Sequence, residues 1–321
     1  MATIADIAKK AKVAKSTVSL VINNTGYVSE ETRKKVNEAI AELNYVPNIL
    51  ARNLSLRKSN LVGIMVPDIA NPFFSEFIKA AENELYLKGY KTLICNTLRS
   101  VEREKDYLDM LQRKFMDGLI IGQYELPATC YTQVQCPMVS LDRKVGGEIP
   151  IIRSNHEMSS EIIVKEILRN KCRRVVIFAG NATENNPSIK RHNLIEKYLE
   201  KYGVEVHTVV TDTPYHLEKI IKDLFDMQTF DGVIGADLYV MECLQEAYRR
   251  NIKIPTQFCA IAYDGTYITE VNMLPITTII QPVNEMAKEA VNILIKLMRE
   301  EKVEKEEYII DVKLDIRETT R

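Results

Sequence analysis

Long apolar runs are missing from this 321-residue chain. The longest, such as residues 61–66, fall far short of the ~20 residues that a membrane-spanning helix needs, so we expect no transmembrane segment. An apolar signal-peptide core is missing as well, because Asp6, Lys9 and Lys10 interrupt the first eleven residues. These absences predict a cytoplasmic protein that does not associate with a membrane.

The motifs of common enzymes are also missing. The six cysteines form no C-x-x-C pair, which in a reducing compartment predicts buried apolar side chains rather than disulfides or a zinc site. The chain has no G-x-x-x-x-G-K-[ST], no G-x-S-x-G and no G-x-G-x-x-G, and His156-Glu157 lacks the second histidine of H-E-x-x-H. The four histidines do not cluster. Asp and Glu remain possible acid–base groups, but we predict no catalytic residue, no metal and no cofactor.

The charge is unevenly distributed. With 46% apolar residues, a chain of this length can form two or three domains. Residues 1–60 hold ten Lys+Arg and five Asp+Glu, whereas the rest hold 33 and 39. A small basic head on an acidic body is typical of nucleic-acid binding, although a basic surface without function remains the alternative.

The head has the pattern of three short helices. Residues 4, 5, 7, 8 and 11 form an apolar face after the predicted N-cap Thr3. A second helix places Thr17, Val18, Val21 and Ile22 on one face, and Lys15, Ser16, Ser19 and Leu20 on the other. Ser29 is the predicted N-cap of a third helix. With these three short helices, residues 1–46 are predicted to form a helix-turn-helix domain.

Residues 47–59 are predicted to form a separate hinge segment. Pro47 ends the third helix, and Asn48 offers a cap for residues 49–55. This stretch is too short to be a stable helix by itself, so it should fold only when something holds it. Leu54 has no obvious core to pack against, and the alternative is that this stretch is a linker in which the leucine has no function.

Motifs along the whole chain together resemble one known family. In the head they include Ser-Thr-Val-Ser at 16–19, Val-Ser at 28–29 and Pro-Asn at 47–48, and in the body Val-Pro-Asp-x-x-Asn-Pro-Phe-Phe at 66–74. Further matches lie at residues 2–11, 13, 21–23, 32–33, 41, 43, 45, 51–52, 54, 117–120, 141–143, 263–264 and 277–282. This pattern resembles the LacI/GalR (lactose-repressor/galactose-repressor) family of bacterial transcriptional regulators.

The resemblance implies specific DNA contacts. Lys15, Ser16 and Leu20 fall where members read bases in the major groove. Asn48, Ala51 and Leu54 belong to a hinge that becomes helical on DNA, with Leu54 as a wedge in the minor groove. Since one head covers only half of a palindromic operator, a homodimer is implied, and without a heptad repeat near the end of the chain we expect no tetramer. Expected phosphate contacts are Thr17, Ser19, Asn23 and Tyr27.

The body alternates short β-branched runs with helical patterns, which predicts parallel sheets built from βαβ units. The resemblance implies a periplasmic-binding-protein-like effector domain (residues 60–321) with two parallel-sheet sub-domains: about 60–157 plus 283–303, and about 158–282 plus 304–321. Predicted strands are 61–66, 92–95, 118–121, 138–141, 175–179, 205–210, 232–235, 260–263 and 276–280. Predicted helices are 73–88, 157–170, 189–201, 238–251 and 283–300.

A small-molecule effector, a sugar or sugar derivative, is expected in the cleft between these sub-domains, beyond the carboxyl ends of the strands. The positions that match sugar-binding members are Asn71, Phe73, Phe74, Asp142, Arg143, Arg191, Asp264 and Gln281. The structural alternatives are that Phe73 or Phe74 caps the core and that Asp142 and Arg143 form an internal ion pair. Ala236, Leu194, Val240 and Glu242 depart from the family pattern, so a non-sugar effector, a modified sugar or a pocket without ligand stays open.

The expected function is a repressor of a carbohydrate-utilisation operon that binds double-stranded operator DNA. Effector binding is expected to shift the arrangement of the two sub-domains and so the folding of the hinge. The alternative within this family is a catabolite-control regulator whose co-effector is the phosphorylated carrier protein HPr. An enzyme and a secreted solute-binding protein are the remote alternatives. The second would share the body, but it would have no basic head and would need an export signal, which this sequence does not show.

Overall fold

The computed structural model describes residues 2–45, 58–180, 187–211, 217–227 and 229–321. The chain forms two compact units, residues 1–59 and 60–321. The predicted hinge contacts Asn48, Ala51 and Leu54 lie outside the described residues. Within the described part, no helix has both the length and the apolar character that crossing a bilayer requires.

The first unit contains three helices around a small core. They are α1 (Ile4–Ala11), α2 (Lys15–Asn23) and α3 (Glu30–Glu42). Thr3 caps α1 in a complete capping box with Asp6, and Ser29 caps α3. Ile7, Val18 and Val36 come one from each helix and are fully buried against one another. The apolar periodicity of the three helices therefore produces the predicted helical head.

The second unit contains two six-stranded sheets, each the centre of a lobe. The first sheet has the order β11-β5-β4-β3-β1-β2, and all its strands are parallel. Its inner strands β1 and β3 are buried and have continuous apolar sequences, as is typical of parallel sheets covered on both faces. Its strands are β1 (Leu61–Val66), β2 (Lys91–Asn96), β3 (Gly118–Ile121), β4 (Met138–Leu141), β5 (Ile151–Ser154) and β11 (Glu307–Ile310).

The second sheet has the order β12-β10-β9-β8-β6-β7 and is parallel except for its edge strand β12. Its strands are β6 (Arg174–Ala179), β7 (Glu205–Val210), β8 (Gly232–Ala236), β9 (Cys259–Asp264), β10 (Thr278–Ile280) and β12 (Lys313–Asp315). The helices of the two lobes are α4 (Pro72–Leu87), α5 (Val101–Gln112), α6 (Ala128–Thr132), α7 (His156–Arg169), α8 (Pro187–Lys201), α9 (Glu218–Met227), α10 (Asp237–Arg249), α11 (Tyr267–Val271) and α12 (Val283–Met298).

The chain passes between the lobes three times. It leaves the first sheet after β5, returns to the first lobe between β10 and α12, and crosses again between β11 and β12. Sequence reasoning placed all of residues 304–321 in the second lobe, and this was wrong for β11. Tyr308 pairs with Ile152 and Ile310 with Ser154 in the first sheet, because Tyr308 and Ile310 pack on the core of that lobe.

Candidate functional site

Helix α2 presents a polar face on the surface of the head. Val18 and Val21 are buried, so the helix is fixed with Lys15, Ser16 and Leu20 exposed. These are the predicted base-reading residues, and 36% of the Leu20 side chain surface is accessible. A short helix with a cation, a hydroxyl and an apolar tip on one face can contact base edges in a major groove.

The predicted phosphate contacts lie along the same helix and just beyond it. Ser19 and Asn23 are half-buried one turn apart, and the Asn23 side chain donates to the Ser19 hydroxyl at 3.2 Å. Thr17 is half-buried, whereas Tyr27 is 94% exposed. Asn24 closes α2 in the left-handed conformation, and its side-chain oxygen accepts a 2.9 Å hydrogen bond from Arg33 of α3.

A cavity of about 430 Å³ lies between the two lobes, at the carboxyl ends of the strands of both sheets. It brings together residues that are distant in the sequence. All the predicted effector residues line it: Asn71, Phe73, Phe74, Asp142, Arg143, Arg191, Asp264 and Gln281.

The aromatic wall of the cavity comes from the start of α4. Asn71 caps this helix by accepting from the Phe73 amide at 3.0 Å. The rings of Phe73 and Phe74 are in edge-to-face contact, with centroids 5.4 Å apart. Phe73 packs in the core of the first lobe and also lines the cavity. Packing in the core and facing the cavity are therefore compatible for this residue.

Asp142 is held by a histidine rather than by Arg143. Its Oδ1 lies 2.7 Å from Nε2 of the fully buried His156, whose Nδ1 lies 3.1 Å from the Tyr263 hydroxyl. The Arg191 guanidinium stacks on the Tyr263 ring, 3.5 Å from its centroid. The suggested Asp142–Arg143 ion pair is absent from the described residues, because Arg143 instead donates to the carbonyl of Tyr124 at 3.3 Å.

A second polar chain runs through Gln281. Its amide nitrogen donates to Asp264 at 2.7 Å, and its amide oxygen accepts from the Ser154 hydroxyl at 2.7 Å. Burial raises the pKa of Asp264 well above its ordinary value, and the nearby charge of Asp237 adds to this effect. Burial also raises the pKa of Asp237 to about 6, although hydrogen bonds from Thr266 and Gly265 lower it and so oppose part of this rise.

Three of the residues that line this cavity have backbone conformations that side chains rarely adopt. Arg99, Asp142 and Asp264 all line it and all have positive φ, at 57°, 55° and 131°. Side chains at such positions cost free energy unless the surrounding structure holds them, and they are common at ligand sites.

Sequence reasoning missed several residues of the cavity. Arg99 follows β2, Gln123 and Glu125 follow β3, and Thr211 follows β7. The rule that ligands lie beyond strand carboxyl ends would have indicated them once β2, β3 and β7 were predicted. The buried Glu104 was also missed; it accepts hydrogen bonds from the amides of Glu125 and Leu126 and from the Tyr131 hydroxyl.

Of the departures from the family pattern, only Ala236 lines the cavity within the described residues. Val240 is fully buried in the core of the second lobe. Tyr239 supplies the wall beside Ala236, and its ring stacks on Phe178 at 5.2 Å. Among the described residues, no group of three or more His, Cys, Asp and Glu side chains is placed to hold a metal ion.

Comparison with known proteins agrees with the two-unit structure. Residues 3–48 match the family described as bacterial regulatory proteins, lacI family, and residues 164–320 match the periplasmic binding protein-like domain. The chain is 32% identical to the ribose operon repressor of Halalkalibacterium halodurans, covering 100% of this chain and 98% of that protein. It is 33% identical to the sucrose operon repressor of Streptococcus mutans, covering 98% of each.

The chain belongs to the LacI family of bacterial regulatory proteins. A LacI-family member of this kind is a DNA-binding transcriptional regulator and not an enzyme. Its fold is similar to that of the lac repressor dimer bound to operator and the anti-inducer ONPF, with a TM-score of 0.86, 24% identity and 99% of each chain covered.

Proposed function

We propose that this regulator represses a carbohydrate-utilisation operon and responds to a small sugar-like effector in the cavity between the lobes. The observation that carries the proposal is the convergence of the eight predicted effector residues, from both lobes, on one cavity. Aromatic faces at Phe73 and Phe74 suit the C–H faces of a sugar, and the amide and carboxylate groups suit neighbouring hydroxyls. The repressors of ribose and sucrose operons among the relatives support the same class of operon.

The head binds operator DNA through α2. Lys15, Ser16 and Leu20 are exposed on one face and read bases, while Thr17, Ser19, Asn23 and Tyr27 contact phosphates. One head covers a half-site, so the regulator acts as a homodimer on a pseudo-palindromic operator.

The surface of the first lobe supports a dimer. Its edge strand β2 exposes Ile94, with 48% of the side chain accessible, and Leu98 and Phe115 are exposed as well. An uncovered edge strand with apolar side chains favours pairing with another chain. We assign this surface to the second copy of the protein.

The hinge, residues 47–59, links operator binding to the body. Leu54 acts as the minor-groove wedge, which costs a few kcal/mol of unstacking that the added contacts recover. Leu54→Ala should keep the fold and lose most of the operator affinity, measured by gel shift on a selected duplex. Unchanged operator affinity would show that Leu54 does not act as a minor-groove wedge.

Signalling is a population shift between arrangements of the two lobes. Contacts that join the lobes are available to couple with the effector: His156 with Asp142, Ser154 with Gln281, and the Tyr267 amide with Glu76 at 2.8 Å. An effector that bridges Asp142 and Asp264 changes the stability of these contacts in one arrangement relative to the other.

The test begins with selecting a duplex from randomised DNA with the full-length protein. Sugars are then titrated onto the protein–DNA complex, and the phosphorylated carrier protein HPr is titrated separately. We expect a small molecule to change DNA affinity, and Arg191→Ala to abolish this response with DNA binding intact. A response to the carrier protein alone, or a normal response in Arg191→Ala, would contradict the proposal.

A further inference from the structure

Among the described residues, three arginines line the cavity, and two of them lie side by side. Arg99 and Arg143 contact adjacent residues of the segment after β3: Arg99 Nη1 lies 3.5 Å from Oε1 of Glu125, and Arg143 Nη1 donates to the Tyr124 carbonyl at 3.3 Å. Both therefore belong to the wall that the first lobe contributes. Arg191 comes from α8 and lines the cavity from the second lobe.

The positive charges of Arg143 and Arg191 are poorly neutralised. Arg143 has a carbonyl as its hydrogen-bond partner and the Tyr124 ring at 5.8 Å. Arg191 lies on the Tyr263 ring and bonds to Nε2 of His192 at 3.1 Å. Within the described part of the chain, neither guanidinium has a carboxylate at salt-bridge distance.

The neighbouring groups compensate for this only in part. Burial, followed by the charge of Arg191, lowers the pKa of His192 to about 2, so its ring is a neutral acceptor. Burial also lowers the pKa of Arg143, and the nearby charges of Glu125 and Asp142, which favour the charged guanidinium, do not cancel this effect. A partly buried cation without a counter-ion is costly, and a bound anion would remove that cost.

The acidic side chains of the cavity that the structure describes each have another partner. Asp142 bonds to His156, Asp264 accepts from Gln281, and Glu125 already faces Arg99 and Gln123. Burial raises the pKa of Asp264, which disfavours its charged form. Among the described residues, the cavity is thus richer in available positive charge than the numbers of arginines and carboxyl groups suggest.

We propose that the effector is an anionic polyol whose oxyanion binds between Arg99 and Arg143, with Arg191 closing on it from the second lobe. Guanidinium groups bind phosphate and carboxylate oxygens through paired hydrogen bonds, which a neutral sugar cannot offer. The polyol part takes the aromatic and amide positions, Phe73, Phe74 and Asn71. This inference rests on the proposed function, since it names the chemical class of ligand for the same cavity.

Binding is measured by calorimetry on the full-length protein at low and moderate salt. The probes are D-ribose, D-glucose and D-fructose, their phosphate esters D-ribose 5-phosphate, D-glucose 6-phosphate and D-fructose 6-phosphate, and D-gluconate. We expect at least one phosphate ester to bind about tenfold or more tightly than its parent sugar, with an advantage that shrinks as salt rises. Gluconate binding tightly while the esters do not would support the oxyanion site with a carboxylate as the ligand group.

Two variants locate the anion. Arg99→Gln should remove most of the preference for the anionic probe, reducing its affinity about tenfold while the affinity for the parent sugar changes little. Arg113→Gln is the matched control, because Arg113 ends α5 on the surface, 72% exposed, and lies outside the cavity. It should leave all affinities unchanged.

The results separate this inference from the proposed function. If parent sugars bind as tightly as their anionic counterparts, or if no anionic probe binds, the anion site is overturned. A neutral sugar that releases the protein from DNA would then leave the proposed function standing. A response to the carrier protein alone would overturn both.

Discussion

The side chain of His156, the first residue of α7, joins Asp142 of the first lobe to Tyr263 of the second. Its Nε2 lies 2.7 Å from the Asp142 carboxylate and its Nδ1 lies 3.1 Å from the Tyr263 hydroxyl. The histidine is completely buried, so both ring nitrogens are satisfied within the protein. One imidazole thus connects a carboxylate of the effector cavity with the aromatic ring on which Arg191 stacks.

Replacing this histidine should destabilise the body. His156→Leu leaves the Tyr263 hydroxyl and the Asp142 carboxylate without their partner, and we expect the free energy of unfolding to fall by about 2 kcal/mol or more. Urea unfolding followed by circular dichroism measures the loss. His207→Leu, at an exposed position on β7, is the control and should change stability by less than about 0.5 kcal/mol. Equal effects of the two substitutions would show that the imidazole bridge is not stabilising.

Lys15 should determine one base pair of each half-site. Lys15→Ala removes a donor to the edge of guanine, so we expect relaxed choice at one position and a loss of about 1–3 kcal/mol for the preferred base. Selection from randomised DNA with the wild type and the variant measures this. Lys201→Ala, an exposed cation at the end of α8, is the control. A uniform loss across all sequences would make Lys15 a phosphate contact.

Gly265 follows β9 at the edge of the cavity and should not tolerate a side chain. Its φ is 69°, and a Cβ there would lie 2.6 Å from the Cα atom of Ile280. Gly203 has a similar φ of 75° with open space around its Cβ position. Gly203→Ala should therefore cost about 1 kcal/mol from backbone strain alone, and Gly265→Ala clearly more. Thermal unfolding of both variants separates strain from collision, and similar melting temperatures would contradict the expected clash.

Asp237 should make stability depend on pH between about 4 and 6. Burial raises its folded-state pKa to about 6 from an ordinary value of 3.8, so the folded protein binds the proton more tightly than the unfolded chain does. This contribution is fully present below pH 3.8 and is lost as pH rises through about 6. Asp237→Asn, which does not titrate, should show a smaller loss of stability over this range, measured by urea unfolding at several pH values. An unchanged pH profile would be the contrary result.

The sequence predicted those elements whose signal is local. Residues 61–66 and 118–121 are continuous apolar runs, residues 138–141 are interrupted only by Ser140, and the structure contains these strands with the same bounds. Strand β5 was not predicted because it includes the polar residues Arg153 and Ser154, whose burial in the sheet depends on the distant partners Glu307 and Gln281. Those partners are more than 100 residues away, so no local pattern indicates the strand.

The same distinction applies to the cavity: residues within family motifs could be predicted, and residues placed by the fold alone could not. Residues carried by the family resemblance, such as Asn71, Asp142 and Arg191, do line it. Arg99 does not belong to a recognised motif, and it reaches the cavity because β2 ends beside β1 and the backbone turns with a positive φ. The bridge through His156 depends on the approach of two lobes, and the sequence around this histidine suggested only an incomplete metal motif.

The segment after α12 supplies an edge strand to each sheet, β11 to the first and β12 to the second. Neither half of the body is a contiguous piece of polypeptide, and neither can be excised by cutting at one point. Deleting residues 304–321 would remove an edge strand from both sheets at once. Because this one segment pairs with both sheets, the two lobes should unfold together in a single cooperative transition.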